Sequence, residues 1–220
     1  MDEVRSNMAN ENMNIIGAGQ DAARPAPKKY KIVYADPPWK ISFYPVKGET
    51  GMRFAQYKTM KTEDICKMKF DFVDENAVIF LWTTNTFLPD AFLVLKAWGF
   101  KYHCTIVWKK DNGITMRGVH RTVEFLLFGY NGRFPDIGCG KPLPCHVECK
   151  RGRHSEKPDV FRKIIVDKFG DVPRIELFAR QRVDGWDAWG DEIEESPVLG
   201  EEGPAQNTME GLQSELFGKT

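Results

Sequence analysis

Short apolar runs alternate with stretches that favour helix along the middle of this chain, and this alternation limits the folds it can adopt. Five runs have the β-branched and aromatic composition of buried strands: Lys31–Ala35, Ala77–Trp82, Cys104–Trp108, Glu124–Phe128 and Arg174–Phe178. Helices are predicted between them, over Thr62–Lys69, Thr86–Trp98 and Lys157–Phe169. The alternation predicts an α/β fold, with a mostly parallel sheet and helices on both of its faces.

The ends of the predicted helices carry clear signals. Pro89 and Pro158 stand in first turns, where a missing backbone N–H is tolerated. Gly99 and Gly170 follow last turns, where glycine commonly ends a helix. In sheets of this kind, ligands bind beyond the carboxyl ends of the strands. Polar residues that directly follow a strand are therefore the first candidates for a functional site.

Charge and composition divide the 220-residue chain into three parts. Residues 1–28 are polar and contain prolines, which predicts a flexible arm. Residues 194–220 are acidic and predict a disordered tail, and residues 29–193 are predicted to form one domain. Between residues 27 and 194 there are 28 basic and 21 acidic residues, a net charge of +7. A basic body suits a polyanionic partner such as nucleic acid.

The sequence gives little support to a membrane protein, a secreted protein or a zinc-binding protein. No apolar run approaches the ~20 residues that cross a bilayer, and the N-terminus lacks the pattern of a secretory signal. We therefore expect no membrane partner, a cytoplasmic location (nuclear in a eukaryote) and reduced cysteines. Cys145 and Cys149 come close to zinc-ligand spacing, with Cys139 and His146 nearby, but no second pair follows. We assign no metal.

The tetrapeptide Asp36-Pro37-Pro38-Trp39 directly follows the first predicted strand. A carboxylate at a strand end can accept a hydrogen bond from an amino group, and the prolines hold a backbone carbonyl rigidly beside it. Trp39 offers a flat face for stacking a base. The motif suits a pocket for the N6 amine of adenine, a poor nucleophile whose lone pair is delocalised into the ring. The structural alternative is a strand ending in a proline-rich turn that exposes a tryptophan.

Further motifs extend from about Tyr30 to Ile193. In chain order they are Tyr57-Lys58-Thr59-Met60, Phe80-Leu81-Trp82-Thr83-Thr84-Asn85, Ala97-Trp98-Gly99-Phe100, Ile106-Val107-Trp108-Lys109, Glu124-Phe125-Leu126-Leu127-Phe128-Gly129, His154-Ser155-Glu156-Lys157-Pro158-Asp159, Ile175-Glu176-Leu177-Phe178-Ala179-Arg180, Gly185-Trp186 and Trp189-Gly190-Asp191-Glu192. Each motif alone is weak, but all of them in one order form a specific signal. By this signal the chain resembles the MT-A70 family of S-adenosylmethionine-dependent adenine N6-methyltransferases, and its bacterial and phage members in particular.

The resemblance implies a Rossmann-like class I methyltransferase fold in the permuted β-class order. The order is permuted because the Asp36 motif precedes the segment that resembles the family's cofactor strand, Ile175–Arg180. A glycine-rich loop does not follow that segment, so side chains would hold the cofactor more than a backbone nest does.

The resemblance also implies roles for individual residues at the cofactor, S-adenosylmethionine. Asp36 would bond both the target amine and the amino group of the methionine moiety, and Lys157 would pair with the cofactor carboxylate. A solvated lysine is the alternative for Lys157. Backbone groups of Phe178 would flank the cofactor's adenine. Cofactor contacts also match Arg180, Asp191 and Glu192, the last two at ribose hydroxyls, where the family's eukaryotic catalytic subunit has Asn and Gln.

Other residues are assigned to the acceptor by the same resemblance. Tyr57 and Glu124 match positions that frame the acceptor adenine, with a packed loop tyrosine and a structural carboxylate as the alternatives. Asn85 follows a strand, where a pocket residue or a helix cap belongs. We predict that the loops Lys40–Met60 and Lys141–Glu156 close over the site. Basic side chains in these loops would grip phosphates, unless they are only solvated charges: Lys150, Arg151 and Arg153.

We therefore predict an enzyme that transfers a methyl group from S-adenosylmethionine to the N6 amine of adenine in nucleic acid. A duplex adenine would have to be flipped out to reach it. The alternatives are a catalytically silent nucleic-acid-binding subunit, and a methyltransferase of small molecules or proteins. The intact Asp36 motif argues against the first, and the basic body argues against the second. DNA is favoured over RNA because a short, self-contained catalytic body resembles the bacterial and phage members. A homodimer or a family-related partner subunit would suit such a body.

Overall fold

The computed structural model describes residues 28–40, 58–116, 118–134, 140–150 and 157–193. The strands are β1 (Tyr30–Ala35), β2 (Val73–Thr83), β3 (Lys101–Met116), β4 (Val119–Tyr130), β5 (His146–Glu148), β6 (Arg174–Leu177) and β7 (Asp187–Trp189). The helices are α1 (Thr62–Cys66), α2 (Leu88–Ala97) and α3 (Asp159–Phe169). Within the described residues, the strands form one sheet in the order β5-β3-β4-β2-β1-β6-β7.

The directions of the strands set the edge at which a site can form. β1 pairs in parallel with β2 and β6, and β6–β7 and β3–β5 are parallel as well. β4 alone runs antiparallel, to both β2 and β3. The sheet is therefore mixed but mostly parallel, which confirms the predicted α/β fold. The carboxyl ends of β1, β2, β3 and β6 meet at one edge, where such folds bind ligands.

Both faces of the sheet are buried. Val33 and Ala35 of β1 point into the core that α1 and α2 cover, while Ile32 and Tyr34 point into the core that α3 covers. Side chains alternate between the faces with a period of two, so a central strand needs apolar residues at successive positions. Burying each large apolar side chain contributes about 1.5–3 kcal/mol, and these two cores fix the strand ends that carry the site.

The β3–β4 pair is longer than predicted and forms a hairpin. The predicted strands Cys104–Trp108 and Glu124–Phe128 cover only the buried part of this hairpin. In that part β4 also pairs with β2, and the last of these pairs is Thr83–Phe125. Beyond that pair, Ile114 lies opposite Arg121, and the arms pair mainly with each other. This arm of the sheet extends past its carboxyl edge. Backbone pairing rather than burial of apolar side chains maintains it.

Other differences concern short elements and element ends. β5 and β7, of three residues each, were not predicted. α1 ends at Cys66 rather than Lys69, and α3 begins at Asp159 with Pro158 as its N-cap. Among the described residues, no helix is long and apolar enough to span a membrane. The predicted tail, and the predicted arm apart from Lys28, lie outside the described residues.

Candidate active site

The Asp36 motif leaves the carboxyl end of β1, the strand that lies between β2 and β6. Two backbone hydrogen bonds hold the turn. The Trp39 N–H donates to the Pro37 carbonyl at 2.9 Å, and the Met60 N–H donates to the Pro38 carbonyl at 2.8 Å. Because both prolines also have a fixed φ, the backbone after Asp36 is tightly restricted. The Pro37 carbonyl can still accept a second hydrogen bond, since a carbonyl oxygen has two lone pairs.

Trp39 packs into the core. Its side chain is 8% exposed. The indole N–H donates to the Trp82 carbonyl at 3.2 Å, and the ring stacks on Phe87 with centroids 5.5 Å apart and an interplanar angle of 13°. One face of the indole is thus covered by Phe87. Trp39 anchors the turn to β2 and to the start of α2, a structural role that the sequence reasoning did not assign to it.

Four charged side chains form a row across the strand ends, which we call the charge row: Asp36, Lys157, Glu124 and Lys110. Lys157 Nζ lies 2.7 Å from Asp36 Oδ2 and 3.5 Å from Glu124 Oε2. Lys110 Nζ binds the other oxygen of Glu124, Oε1, at 2.9 Å. The side chains are 11–25% exposed, and their charges alternate and sum to zero. A buried row of this kind is tolerable because every member has an opposite charge beside it.

Two tryptophans lie under the charge row. Lys157 Nζ lies 5.4 Å from the ring centroid of Trp82, and Lys110 Nζ lies 5.7 Å from that of Trp108. Trp82 and Trp108 pack edge to face at 5.9 Å. Ammonium groups are attracted to the faces of aromatic rings. The core that α3 covers therefore supports both lysines from below.

Burial and pairing shift the pKa values of these groups. Burial raises the pKa of Asp36 above its ordinary value, and Lys157 offsets only part of that rise. Burial also raises the pKa of Glu124, but Lys157 and Lys110 outweigh it and hold that pKa below its ordinary value. Burial lowers the pKa of Lys157, yet Asp36 and Glu124 outweigh it, so Lys157 stays an ammonium. Perturbed pKa values are common in functional sites.

A cavity of about 560 Å³ opens beside Asp36 at the ends of β1, β6 and β7, a volume that suits a small ligand. Five residues predicted from the sequence to hold the cofactor line it: Asp36, Phe178, Arg180, Asp191 and Glu192. The other lining residues are Pro38, which was predicted to be catalytic, and residues to which no cofactor role was assigned: Lys58, Thr59, Met60, Asp64, Ala179 and Trp189. Asp191 and Glu192 are exposed, so their carboxylates are accessible to a ligand. Lys157, also predicted to hold the cofactor, does not itself line the cavity but bonds to Asp36, which does.

The backbone at the end of β6 has an unusual conformation. Phe178 has a φ of 61°, the only positive φ of a non-glycine residue among those described. Such conformations cost free energy and occur preferentially in functional sites. The Ala179 N–H donates to the Trp189 carbonyl at 2.9 Å. Gly190 lies so close that a Cβ there would be 2.2 Å from the Ala179 oxygen, so the ends of β6 and β7 need glycine at this position.

The predicted acceptor residues fall in three groups. Glu124 belongs to the charge row. Asn85 and Lys150 are exposed, and Asn85 lies in the turn between β2 and α2, whose N-terminus has no side-chain cap. Tyr57, Arg151 and Arg153 lie outside the described residues, as do residues 41–57 of the first predicted closing loop and 151–156 of the second. The described part of the second loop contains β5, which pairs with β3. Lys110, which completes the charge row, was missed.

Two other candidate sites carry no recognisable chemistry. A cavity of about 660 Å³ at the opposite edge of the sheet, lined partly by Lys29, Phe70 and Trp98, contains none of the predicted site residues. Within the described residues, no group of three or more His, Cys, Asp or Glu side chains is placed to hold a metal ion, and Cys139 lies outside them. Because predicted site residues line the cavity beside Asp36, that cavity is the candidate active site.

Comparison with known proteins gives consistent matches. The MT-A70 family model matches residues 30–192. The chain is 29% identical over 188 residues to "Type II methyltransferase M.MunI" of Mycoplasma sp, covering 78% of this chain and 81% of that protein. It is 28% identical over 161 residues to "N(6)-adenosine-methyltransferase MT-A70-like protein" of Drosophila melanogaster, covering 69% of this chain and 24% of that protein. It is 26% identical to the human "N(6)-adenosine-methyltransferase catalytic subunit METTL3", again covering 69% of this chain but 26% of that protein. The chain thus spans about a quarter of the length of the last two relatives.

Proposed function

The chain belongs to the MT-A70 family, and from this membership we propose that it is an enzyme that transfers a methyl group from S-adenosylmethionine to the N6 amine of adenine in nucleic acid. The single observation that carries the proposal is the position of Asp36. It stands at the carboxyl end of a central strand, bound to Lys157 and lining a cavity of ligand size. The relatives named N(6)-adenosine-methyltransferases support adenine N6 as the acceptor atom.

The residues at the cavity fit this cofactor. The Phe178 and Trp189 rings, with centroids 5.4 Å apart, provide aromatic surface for a nucleobase. The exposed carboxylates of Asp191 and Glu192 can accept hydrogen bonds from ribose hydroxyls. Lys157 has three N–H donors, and its two carboxylate neighbours leave one for the carboxylate of the methionine moiety. S-adenosylmethionine supplies a methyl group on a sulfonium, whose carbon–sulfur bond breaks towards sulfur as the amine nitrogen attacks.

The chain's own residues orient the amine. The Asp36 carboxylate accepts a hydrogen bond from one N–H of the amine, and the Pro37 carbonyl accepts one from the other. Holding both hydrogens turns the nitrogen lone pair out of conjugation and towards the methyl group, which is catalysis by orientation. The nitrogen gains positive charge as it is methylated, and the ionised Asp36 stabilises that charge until the proton leaves. Trp39 and Glu124 frame the acceptor base, together with Asn85 and Tyr57.

We assign the acceptor polymer as DNA. The chain covers 81% of the Mycoplasma relative named a Type II methyltransferase, and this likeness to a bacterial member supports DNA. The excess of basic residues outside the two acidic ends supplies the charge for phosphate contacts, and we assign Lys150, Arg151 and Arg153 to those contacts. A silent binding subunit would not need an intact Asp36–Lys157 pair, so the pair favours the active enzyme.

The test is a methyl-transfer assay with purified protein, tritiated S-adenosylmethionine and matched DNA and RNA of one sequence, single- and double-stranded. The nucleosides are then separated by mass spectrometry. We expect N6-methyladenine in DNA, with less in RNA, and none with Asp36→Ala. Label in protein or small molecules alone would contradict the proposed function. Label in RNA alone would contradict only the assignment of DNA.

A further inference from the structure

Lys110 occupies an irregular part of β3 at the far end of the charge row. The register of β3 and β4 shifts between Lys109 and Ile114, so β3 carries extra residues there. Gly113 permits this bulge, because a Cβ at that position would lie 2.3 Å from the Arg121 oxygen. Bulges re-aim side chains and are frequent beside active sites. Here the bulge begins where Lys110 places its ammonium over Trp108 and against Glu124.

We propose that Lys110 is a positioning residue for methyl transfer. By binding Oε1 of Glu124, it turns Oε2 towards Lys157 and so keeps Lys157 on Asp36. This inference rests on the proposed function, because it assigns Lys110 to the reaction that Asp36 performs. Lys110 need not touch cofactor or acceptor. It acts through Glu124 and Lys157 on the carboxylate that orients the amine.

The charges of the row explain why a fourth member matters. With Lys110 present, two ammonium groups balance two carboxylates. Without it, Asp36 and Glu124 compete for Lys157 alone, in a site where water screens charges weakly. Lys157 would then move towards Glu124, which lies 3.5 Å away, and its 2.7 Å contact with Asp36 would lengthen. Misplacing a catalytic group by about 1 Å can cost about a hundredfold in rate.

Among the described residues, Lys157 and Lys110 are the cations whose contacts with Glu124 the structure shows. Besides Lys157 and Glu124, three charged or titratable groups interact electrostatically with Asp36: Arg180, Glu176 and Tyr34. The Arg162 guanidinium interacts with both Glu176 and Tyr34. Arg162 binds both oxygens of Glu176, at 2.8 Å each, on the other side of Asp36 from Glu124 along the sheet. Arg180 lowers the pKa of Asp36. Glu124 thus depends on Lys157 and Lys110, which hold its pKa below the ordinary value against burial.

The test compares Lys110→Met with a matched control on the adjacent residue. Met keeps the apolar stem over Trp108 and removes only the charge. Lys109→Met removes an exposed lysine whose partner, Glu148, is also exposed. For Lys110→Met we expect kcat at saturating DNA to fall about ten- to a hundredfold, with KM for S-adenosylmethionine changed much less. Lys110→Arg should recover most of the rate, and Lys109→Met should match the wild type.

The pH profile separates positioning from a role in folding or phosphate binding. Loss of Lys110 raises the pKa of Glu124. It also draws Lys157 away from Asp36 and so raises the pKa of Asp36, which must be ionised to orient the amine. The acidic limb of the kcat profile should therefore move to higher pH in Lys110→Met and return in Lys110→Arg. Lys110→Gln is a second uncharged variant, expected to give the same move if Lys110→Met does not fold. A ¹³C titration of the Glu124 carboxyl, assigned with Glu124→Gln, measures the pKa shift without any activity.

Three results would overturn the proposal. The first is an unchanged kcat and acidic limb in the folded uncharged variants, and the second is an equal loss in Lys109→Met. The third is an unmoved Glu124 carboxyl titration. A failure of the proposed function looks different, because the wild type itself would then transfer no methyl group to adenine. The carboxyl titration would still decide whether Lys110 sets the ionisation of Glu124.

Discussion

Replacing Lys157 by Met removes the ammonium that Asp36 and Glu124 share. Lys157 Nζ lies 2.7 Å from Asp36 and 3.5 Å from Glu124, and its side chain is only 11% exposed. The variant keeps most of the apolar stem over Trp82, so it creates little empty space. Its main effect is to leave two carboxylates facing one another with Lys110 as their only cation in the charge row.

The size of the effect follows from burial. Removing one partner from a buried ion pair costs about 3–5 kcal/mol, because the other charge stays buried without compensation. The Asp36 side chain is 25% exposed, and water offsets part of this cost. We therefore expect Lys157→Met to lower the free energy of unfolding at pH 7 by about 2–4 kcal/mol.

The sign of the pH dependence is fixed by the same contacts. Lys157 lowers the pKa values of both Asp36 and Glu124, so its removal raises both. A carboxyl whose pKa rises in the folded state favours folding at low pH and disfavours it as pH rises through that pKa. The destabilisation by Lys157→Met should therefore be largest at neutral pH and shrink as pH falls towards about 4, where carboxyls are protonated.

Urea unfolding followed by circular dichroism, at pH 7 and pH 4.5, measures this difference. The control is Lys163→Met, an exposed lysine of α3, the helix that follows Lys157, for which we expect almost no change at either pH. A loss of stability by Lys157→Met that is equal at both pH values would refute the electrostatic reasoning. It would instead assign the effect to packing against Trp82.

Three further predictions concern the turn after β1 and the ends of β6 and β7. Asp36→Ala should abolish methyl transfer while weakening S-adenosylmethionine binding only modestly, as measured by calorimetry; retained turnover would remove Asp36 from the mechanism. Trp39→Ala should weaken acceptor binding by about 1–3 kcal/mol if a base stacks on it, and should also lower the unfolding free energy by about 3–5 kcal/mol because the indole is buried. Unchanged acceptor affinity would leave it only the structural role. Gly190→Ala would place a Cβ 2.2 Å from the Ala179 oxygen, so cofactor affinity should fall about tenfold or more; normal binding would show that the end of β7 can move.

The central strands were predictable from the sequence because a strand buried on both faces needs apolar residues at successive positions. β1 and β2 are apolar at nearly every position of their buried parts, since α1, α2 and α3 cover the two faces. The outer arms of β3 and β4 gave no such signal. Lys109–Thr115 is mostly polar, and its pairing with Arg121 and Val123 depends on backbone bonds that composition does not encode. β5 and β7 are too short for any period to be read.

The site was predictable where a residue directly follows a strand. Asp36 and Phe178 follow β1 and β6, and the structure brings both to one cavity with Arg180, Asp191 and Glu192. Lys110 was missed because its contact with Glu124 depends on the register of a hairpin, not on adjacency in sequence. A signal for it did exist. Ile106, Trp108 and Lys110 follow a period of two, which places a lysine on the face of β3 that the core buries.

Under the proposed function, the direct bond between Asp36 and Lys157 would also let the site select S-adenosylmethionine. The methionine moiety carries an ammonium and a carboxylate on one carbon, and so has no net charge of its own at these two groups. It can insert beside the pair with its ammonium on Asp36 and its carboxylate on Lys157, which leaves the charge row balanced. A ligand with only one of the two groups would add an unbalanced charge to the row, in a place where only 11–25% of each side chain is exposed to water. Unpaired buried charge disfavours the wrong ligand more strongly than a lost contact does. The charge row therefore provides discrimination as well as orientation.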